Sequence, residues 1–450
     1  MILNNQQSSE WTLATKVFFL ALTLLAASNI LGGPLGIFVR GERHALLVLL
    51  VLAAIQLFRH TRSTLVKELI LDNRVILLPV AFVIANCFWL LPLDNFSSAT
   101  LAFGLTDIQS LVLLPIASLA LVATWKYRDY YIKVAQIILI LCVVLSAIQV
   151  SIWLILRFTA ISQDTVNVYL ELYFRDSDSV TILRQPSFYG EYVRIFWISN
   201  YWVLVAAFIL PVLVRRPLFV IPLQTLFFLE ILASYTKGIW LGFIVASFVL
   251  SGALIILHRL KRNVAPARPW KLSVIGFIVA ISMTIFLDFI QDKPKILLAR
   301  IITVETQSSI FGNTDESSNE RREQARALME KWKDRPLLGY GYGAFLADHI
   351  RHDDRPFIYE MLPFSMLFKL GAIGFSLHIL FMGYILVRLA MLSRFFSSAP
   401  YLLSSSVGFF LATYTNPVLF SFGCMLIFSL LVVAWLALEI QLPNNDLSKT

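Results

Sequence analysis

Charged residues are scarce in this sequence. They make up 14% of the 450 residues, whereas hydrophobic residues make up 58%. A soluble globular domain usually carries about 25% charged residues, so this composition argues against an ordinary soluble protein. Cysteine is also rare, and the three cysteines all fall in apolar runs, so we predict no disulfide framework. The sequence shows no internal repeat of the kind found in transporters built from two matching halves.

Long apolar runs are what the sequence has instead. Their length is typical of membrane-spanning helices, which need about 17 to 25 apolar residues. We therefore predict an all-α, polytopic membrane protein with about twelve transmembrane helices. The predicted helix cores lie at 12–31, 44–58, 75–94, 109–125, 131–156, 195–214, 218–233, 238–257, 272–290, 362–387, 400–415 and 417–438.

One long polar segment divides the predicted helices into two blocks. Residues 1–290 hold helices 1 to 9, with a polar loop at 158–194, and residues 362–450 hold helices 10 to 12 and the C-terminal tail. The segment between them, 291–361, has nearly equal numbers of basic and acidic residues and several aromatic residues. A disordered tether has few aromatics and a biased charge. We predict that 291–361 is a small, mostly helical cap.

Lys and Arg are unevenly distributed between the loops. They are concentrated in the connections that follow helices 2, 4, 6, 8 and 10, which the positive-inside rule assigns to the cytoplasm. Both termini are then cytoplasmic, and the loops 158–194 and 291–361 lie on the outer face. The net charge of +9 is dispersed over these short loops, so we expect no nucleic-acid partner.

Within the predicted cap, residues 320–333 have the spacing of an amphipathic helix, with apolar residues at i, i+3, i+4 and i+7 from Ala325. In this phase Arg321 shares the apolar stripe, whereas Arg322 faces water. An inward-facing arginine needs an anionic partner. That partner is either a carboxylate of the same loop or a bound anion.

The stretch "GYGYG" follows this helix. Its glycines Gly339, Gly341 and Gly343 permit positive φ angles and a close approach of the backbone to another group. No strand precedes the stretch and the GxGxxG spacing is absent, so it is not a dinucleotide-binding motif. It is either a tight turn or a place where a ligand meets the backbone.

The cap ends with "DHIRHDDRPFIYEMLPF", residues 348–364, which runs directly into predicted helix 10. Arg351, Tyr359 and Glu360 are thereby placed at the edge of the membrane, where ionisable groups are costly and commonly functional. The histidines and aspartates of this stretch do not follow a recognised ligand spacing, so we predict no metal site.

Two further features lie at predicted helix ends. Lys237 in "SYTKGIW" is at the outer end of helix 8, where a lysine either extends to the interface or holds a phosphate. Gly371 and Gly374 in "KLGAIG" would let helix 10 pack closely against a neighbour.

These segments in this order resemble the O-antigen ligase and O-antigen polymerase superfamily of bacterial membrane glycosyltransferases. The resemblance spans roughly 184–430 and is concentrated in 321–374, where an arginine-led helix, "PLLGYGYG" and a helix with G-x-x-G follow one another. Lys237 stands in place of the arginine of the family's S-R-G helix start. Glu360 and Met361 stand where the ligases carry a His-Asn pair, so the chain resembles a Tyr-Glu branch that lacks this pair.

The resemblance implies an enzyme of the bacterial inner membrane that assembles surface polysaccharide. It would move a glycan from undecaprenyl diphosphate to an acceptor hydroxyl on the outer face of the membrane. The acceptor is a second lipid-linked glycan in a polymerase and the lipid A core of lipopolysaccharide in a ligase, and the sequence leaves this choice open. No cofactor or metal is implied. Other polysaccharide-assembly proteins are open candidates as partners.

The resemblance also implies roles for individual residues. Glu360 would be the base that activates the acceptor hydroxyl, and Arg321 and Arg351 would stabilise the departing diphosphate. The remaining candidates would bind substrate; they are Arg184, Arg194, Lys237, Gly339, Gly341, Gly343 and Tyr359.

Two other functions fit a polytopic protein. The first is a flippase for lipid-linked oligosaccharides or a sugar transporter, which would be expected to have matching halves and charges at the bilayer midplane. The second is a structural assembly protein, in which Arg321 and Glu360 would form a replaceable ion pair.

Overall fold

The computed structural model describes most of the chain. The described residues are 13–31, 40–60, 74–90, 101–127, 129–159, 180–187, 190–214, 216–259, 267–290, 316–350, 356–416 and 418–442. Structural statements below refer to these residues.

The fold is dominated by α-helices. In chain order they are α1 (Leu13–Ile30), α2 (Arg40–His60), α3 (Leu78–Asn86), α4 (Leu101–Ile108), α5 (Leu113–Ala123), α6 (Asp129–Phe158), α7 (Asn200–Leu213), α8 (Pro217–Ala233), α9 (Lys237–Arg259), α10 (Ala267–Ile290), α11 (Glu316–Trp332), α12 (Leu362–Leu392), α13 (Ala399–Thr415) and α14 (Phe422–Gln441). Turns of 3-10 helix flank α3 at Arg74–Leu77 and Cys87–Leu90, and Gln109–Val112 joins α4 to α5.

Six helical segments are long and apolar enough to cross a membrane, judged by length and composition over the described residues. They are Leu13–Ile30, Leu101–Ala123, Asp129–Phe158, Lys237–Arg259, Leu362–Leu392 and Phe422–Gln441. Further helices are apolar but shorter. The prediction of a polytopic, mainly helical membrane protein is therefore confirmed, whereas the number of twelve crossings stays a prediction.

One predicted loop contains a β-hairpin. Strands β1 (Val180–Ser187) and β2 (Gly190–Trp197) pair antiparallel, with Leu183 opposite Arg194 and Arg184 opposite Val193. The hairpin is an exception to the all-α prediction. It also corrects the predicted helix core at 195–214, because β2 continues to Trp197 and α7 starts at Asn200.

Close packing between α9 and α13 depends on small residues. A methyl group at Gly242 would lie 3.1 Å from Cβ of Ala412, and one at Gly408 would lie 3.0 Å from Cβ of Ala246. Small residues let helix backbones approach in a membrane, where lipid competes with side chains for apolar contact. This contact fixes α13 beside α9.

Helix α12 is interrupted at Gly371, whose φ of 62° and ψ of −173° are not helical. The two glycines of "KLGAIG" therefore have different roles. Gly374 packs closely, since a methyl group there would lie 2.9 Å from Cζ2 of Trp89. Gly371 instead breaks the helix, which corrects the prediction that both glycines serve helix packing.

Candidate active site

The glycine loop, residues Gly339–Gly343, is bound to the break in α12. The backbone N–H of Tyr340 donates to the carbonyl of Phe368 over 3.1 Å, and that of Gly341 donates to the carbonyl of Lys369 over 2.7 Å. On the far side of the break, Ala372 N–H donates to the carbonyl of Pro336 over 2.8 Å. A helix broken within a membrane protein must satisfy its freed backbone groups internally, and here the glycine loop and the preceding Pro336 satisfy them.

All three glycines of this loop have positive φ angles, of 66°, 93° and 79° for Gly339, Gly341 and Gly343. A side chain at Gly339 would also collide with the helix break, because its Cβ would lie 2.5 Å from the carbonyl oxygen of Lys369. The sequence prediction of positive φ is confirmed. Since the loop N–H groups donate to oxygen atoms of the protein, the glycines dock the loop, and a direct contact with substrate stays a prediction.

A buried ion pair lies beneath the glycine loop. Lys369 Nζ is 2.5 Å from Asp107 Oδ2, and both side chains are about 7% exposed. The same carboxylate oxygen accepts the backbone N–H of Gly343 over 3.1 Å. Lys369 Nζ also lies 5.3 Å from the ring centroid of Phe357. Asp107 thereby connects α4, the glycine loop and the first half of α12.

Helix α11 has the predicted orientation. Leu328 is buried, and Arg321 on the same stripe is partly buried, whereas Arg322 and Arg326 are exposed. The amphipathic phase read from the sequence is therefore confirmed. The apolar stripe packs against Tyr340 and the residues that precede α12.

Arg321 and Glu360 form an ion pair between Nε of the guanidinium and Oε2 of the carboxylate. The Arg321 side chain is 41% exposed and that of Glu360 is 16% exposed, so the carboxylate is the more shielded partner. One turn along α11, Gln324 accepts the backbone N–H of Glu360 over 2.8 Å. Two residues of α11 therefore fix both the backbone and the side chain of Glu360.

Tyr359 is 1% exposed, and its hydroxyl accepts the backbone N–H of Leu346 over 2.6 Å. Its ring meets that of Phe368 edge to face, with centroids 6.3 Å apart. Burial raises the pKa of Tyr359, so the hydroxyl stays protonated at neutral pH. These contacts give Tyr359 a supporting position beside Glu360, and its predicted contact with substrate is not tested by them.

The structure gives fewer contacts for the other predicted site residues, which are Lys237, Arg184, Arg194 and Arg351. Lys237 is exposed at the first residue of α9. Its neighbour Gly238 packs so tightly on α13 that a methyl group would lie 2.7 Å from Nδ2 of Asn416. Arg184 and Arg194 lie on paired strands of the hairpin, which the structure describes by its backbone. Arg351 lies outside the described residues.

A buried polar cluster anchors the hairpin to the helices below it. Gln149 Nε2 donates to the carbonyl of Ile195 over 2.8 Å, and Asn200 Oδ1 accepts the N–H of Trp197 over 2.6 Å. Asn200 in turn donates to Glu230 Oε1 over 2.9 Å, and Ser146 donates to the other oxygen of Glu230. The cluster fixes the strand residues directly after Arg194.

Several residues of this region were absent from the sequence prediction. Gln324 could have been found, because it lies one turn after Arg321 on the inward face of the same helix. Asp107 and Lys369 are ionisable residues within apolar runs, and such residues are commonly functional or paired. Their partnership has no signal in the sequence, since 262 positions separate them.

Among the described residues, no group of three His, Cys, Asp or Glu side chains is arranged to hold a metal ion.

The comparison with protein families gives one match. The family model described as O-antigen ligase matches residues 223–379, a range that contains α9, α11, the glycine loop, Glu360 and the break in α12. No curated protein matches the chain.

Proposed function

We propose, from the match of residues 223–379 to the O-antigen ligase family model, that this chain is a membrane glycosyltransferase with undecaprenyl diphosphate as the glycan carrier. The acceptor is a hydroxyl group of another envelope glycan. The reaction takes place on the outer face of the bacterial inner membrane, with both termini in the cytoplasm.

The observation that carries this proposal is the pair of Arg321 and Glu360. Its contact uses Nε of the guanidinium, which leaves the two Nη groups to bind phosphate oxygens through paired hydrogen bonds. The carboxylate beside it is the group that can act as a base. One pair thus supplies an anion site and a base at adjacent positions.

The reaction follows from these two groups. Glu360 takes the proton of the acceptor hydroxyl as its oxygen attacks the anomeric carbon of the donor glycan. The bond from that carbon to the diphosphate oxygen breaks, and undecaprenyl diphosphate departs with the electron pair. The charge that develops on the diphosphate is stabilised by Arg321, with Arg351, Arg194, Arg184 and Lys237 as further cationic candidates. A single displacement of this kind inverts the anomeric centre.

The surrounding structure supports a preorganised site. Gln324 and Arg321 of α11 hold the backbone and the side chain of Glu360, and the hydroxyl of the neighbouring Tyr359 accepts the N–H of Leu346. Positioned charges cost no reorganisation during the reaction, which is why fixed dipoles and ion pairs are effective in catalysis. The buried pair of Lys369 and Asp107 keeps the loop in place.

Reconstitution tests the proposal against the transporter and structural alternatives. The full-length protein is placed in liposomes with an undecaprenyl-diphosphate oligosaccharide and a candidate acceptor, without nucleotide sugar or added metal. The proposal predicts a new glycoside and free undecaprenyl diphosphate, both detected by mass spectrometry. Movement of the intact lipid-linked glycan across the bilayer without release of the carrier would identify a flippase. No change in either lipid would favour a structural protein.

The same experiment identifies the acceptor. A product that carries two glycan units on one carrier indicates a polymerase, whereas a product joined to lipid A core indicates a ligase. Each acceptor is supplied separately, so that the preference is read from the products.

A further inference from the structure

A groove of about 630 Å³ lies between α6, α7, α13 and α14. Its wall is mainly aliphatic and aromatic, but four residues with charged, amide or aliphatic hydroxyl groups also line it. They are Asp129, Gln136, Ser398 and Gln441. The groove has no part in the mechanism above.

Three of these polar residues mark one end of the groove. Asp129 is the first residue of α6, Gln441 is the last residue of α14, and Ser398 directly precedes α13. The opposite ends of α13 and α14 adjoin the glycine loop, since Phe420 between them contacts the ring of Tyr342. The polar end is therefore remote from the Arg321–Glu360 pair.

The groove is long enough to cross one leaflet of a bilayer. Along α14 its lining runs from Gln441 to Ile427, which is about 21 Å at 1.5 Å per residue. The hydrocarbon core of a bilayer is about 30 Å thick, so one leaflet contributes about 15 Å. A chain that enters between the polar residues would meet aliphatic side chains over the whole length of a fatty acyl chain.

One buried polar group in the wall points to an occupant that accepts a hydrogen bond. Tyr401 lines the groove and is 2% exposed, and its hydroxyl has no hydrogen-bond partner within the described part of the chain. Burying a hydroxyl without a partner is unfavourable. Tyr401 lies in the first turn of α13, just below the polar end.

The charges at the polar end fit a zwitterionic headgroup. Asp129 and Lys133 are one helical turn apart on α6, so they lie on neighbouring positions of the same face. Lys133 Nζ is held 4.3 Å from the ring centroid of Tyr130, outside the groove wall. The Asp129 carboxylate, which does line the groove, attracts an ammonium group and repels a purely anionic headgroup.

We propose that this groove is a binding site for phosphatidylethanolamine. One acyl chain lies along the aliphatic wall, an ester or phosphate oxygen accepts the Tyr401 hydroxyl, and the ammonium group pairs with Asp129. The site is separate from the glycosyltransferase site, and its occupancy does not depend on the function proposed above.

Native mass spectrometry of the full-length protein tests the site. The purified protein is stripped of lipid in detergent and titrated with dioleoyl phosphatidylethanolamine or dioleoyl phosphatidylglycerol. The site predicts one tightly bound phosphatidylethanolamine per chain. Tyr401→Phe should weaken binding by about 3- to 10-fold, as for one lost hydrogen bond. Asp129→Asn should reduce the preference over phosphatidylglycerol by up to about fivefold, as for an exposed ion pair.

Two matched controls separate binding from general damage. Ala434→Trp fills the groove and should abolish tight binding, whereas Ala253→Trp on α9, outside the groove wall, should leave it intact. Tyr414→Phe removes another hydroxyl that has no hydrogen-bond partner among the described residues, at the opposite end of α13, and should have no effect on lipid binding. Unchanged binding by Ala434→Trp, or equal binding of the two lipids by the wild type, would overturn the proposal.

Discussion

Arg321 of α11 and Glu360, two residues before α12, form an ion pair although 39 positions separate them in the sequence. The pair joins the segment that precedes the glycine loop to the segment that follows it. Because the guanidinium is more exposed than the carboxylate, a ligand from solvent or membrane surface would meet the cation first. The predictions below start from this arrangement.

Arg321→Ala should reduce glycan transfer by about 10²- to 10³-fold, the usual effect of removing a group that stabilises developing negative charge. Arg326→Ala, on the exposed face of the same helix, is the matched control and should retain near wild-type transfer. Initial rates in proteoliposomes measure both. Stability should change little, because a partly exposed ion pair contributes about 0–1 kcal/mol.

Gly371→Ala should lower the free energy of unfolding by at least about 1–3 kcal/mol, because a side chain is strained at this backbone conformation. The added methyl group would also lie 2.5 Å from the backbone nitrogen of Leu338. Gly383→Ala, in the regular part of α12 where a methyl group meets nothing within 4 Å, should be neutral or slightly stabilising. Thermal unfolding in detergent compares the two, and an equal effect at both positions would argue against the break.

Lys369→Met should destabilise the protein by about 3–5 kcal/mol, because it leaves the Asp107 carboxylate buried and unpaired. Adding Asp107→Asn should restore much of this loss, since an amide is neutral and its oxygen can still accept the N–H of Gly343. The double-mutant cycle is measured by thermal unfolding. Lys333→Met, at an exposed position after α11, is the control. Additive effects of the two changes would show that the residues are not coupled.

Much of the helical framework could be predicted from the sequence, because apolar runs of sufficient length leave few alternatives. The inward position of Arg321 could be predicted as well, since the helical period separates it from Arg322. Its partner could not be identified, because the same loop offers many carboxylates and only the folded chain selects Glu360.

Other features escaped prediction for specific physical reasons. The pattern G-x-x-G is the same whether a glycine allows close packing or breaks a helix. Only the folded chain shows that Gly371 breaks α12, because the glycine loop then binds the backbone groups at the break. The β-hairpin did leave a signal, since β-branched and aromatic residues are frequent between Val180 and Trp197. The prediction instead placed a polar loop at 158–194 and a helix core at 195–214.

The central claim is that Glu360 removes the proton of the acceptor hydroxyl. Its most direct test is the initial rate of glycan transfer by Glu360→Gln in proteoliposomes with a lipid-linked oligosaccharide, beside Glu330→Gln at an exposed position of α11. The amide keeps the size of the side chain but cannot take a proton, so we expect a loss of about 10²- to 10⁴-fold at Glu360 and wild-type transfer at Glu330. Full transfer by a folded Glu360→Gln protein would contradict the account.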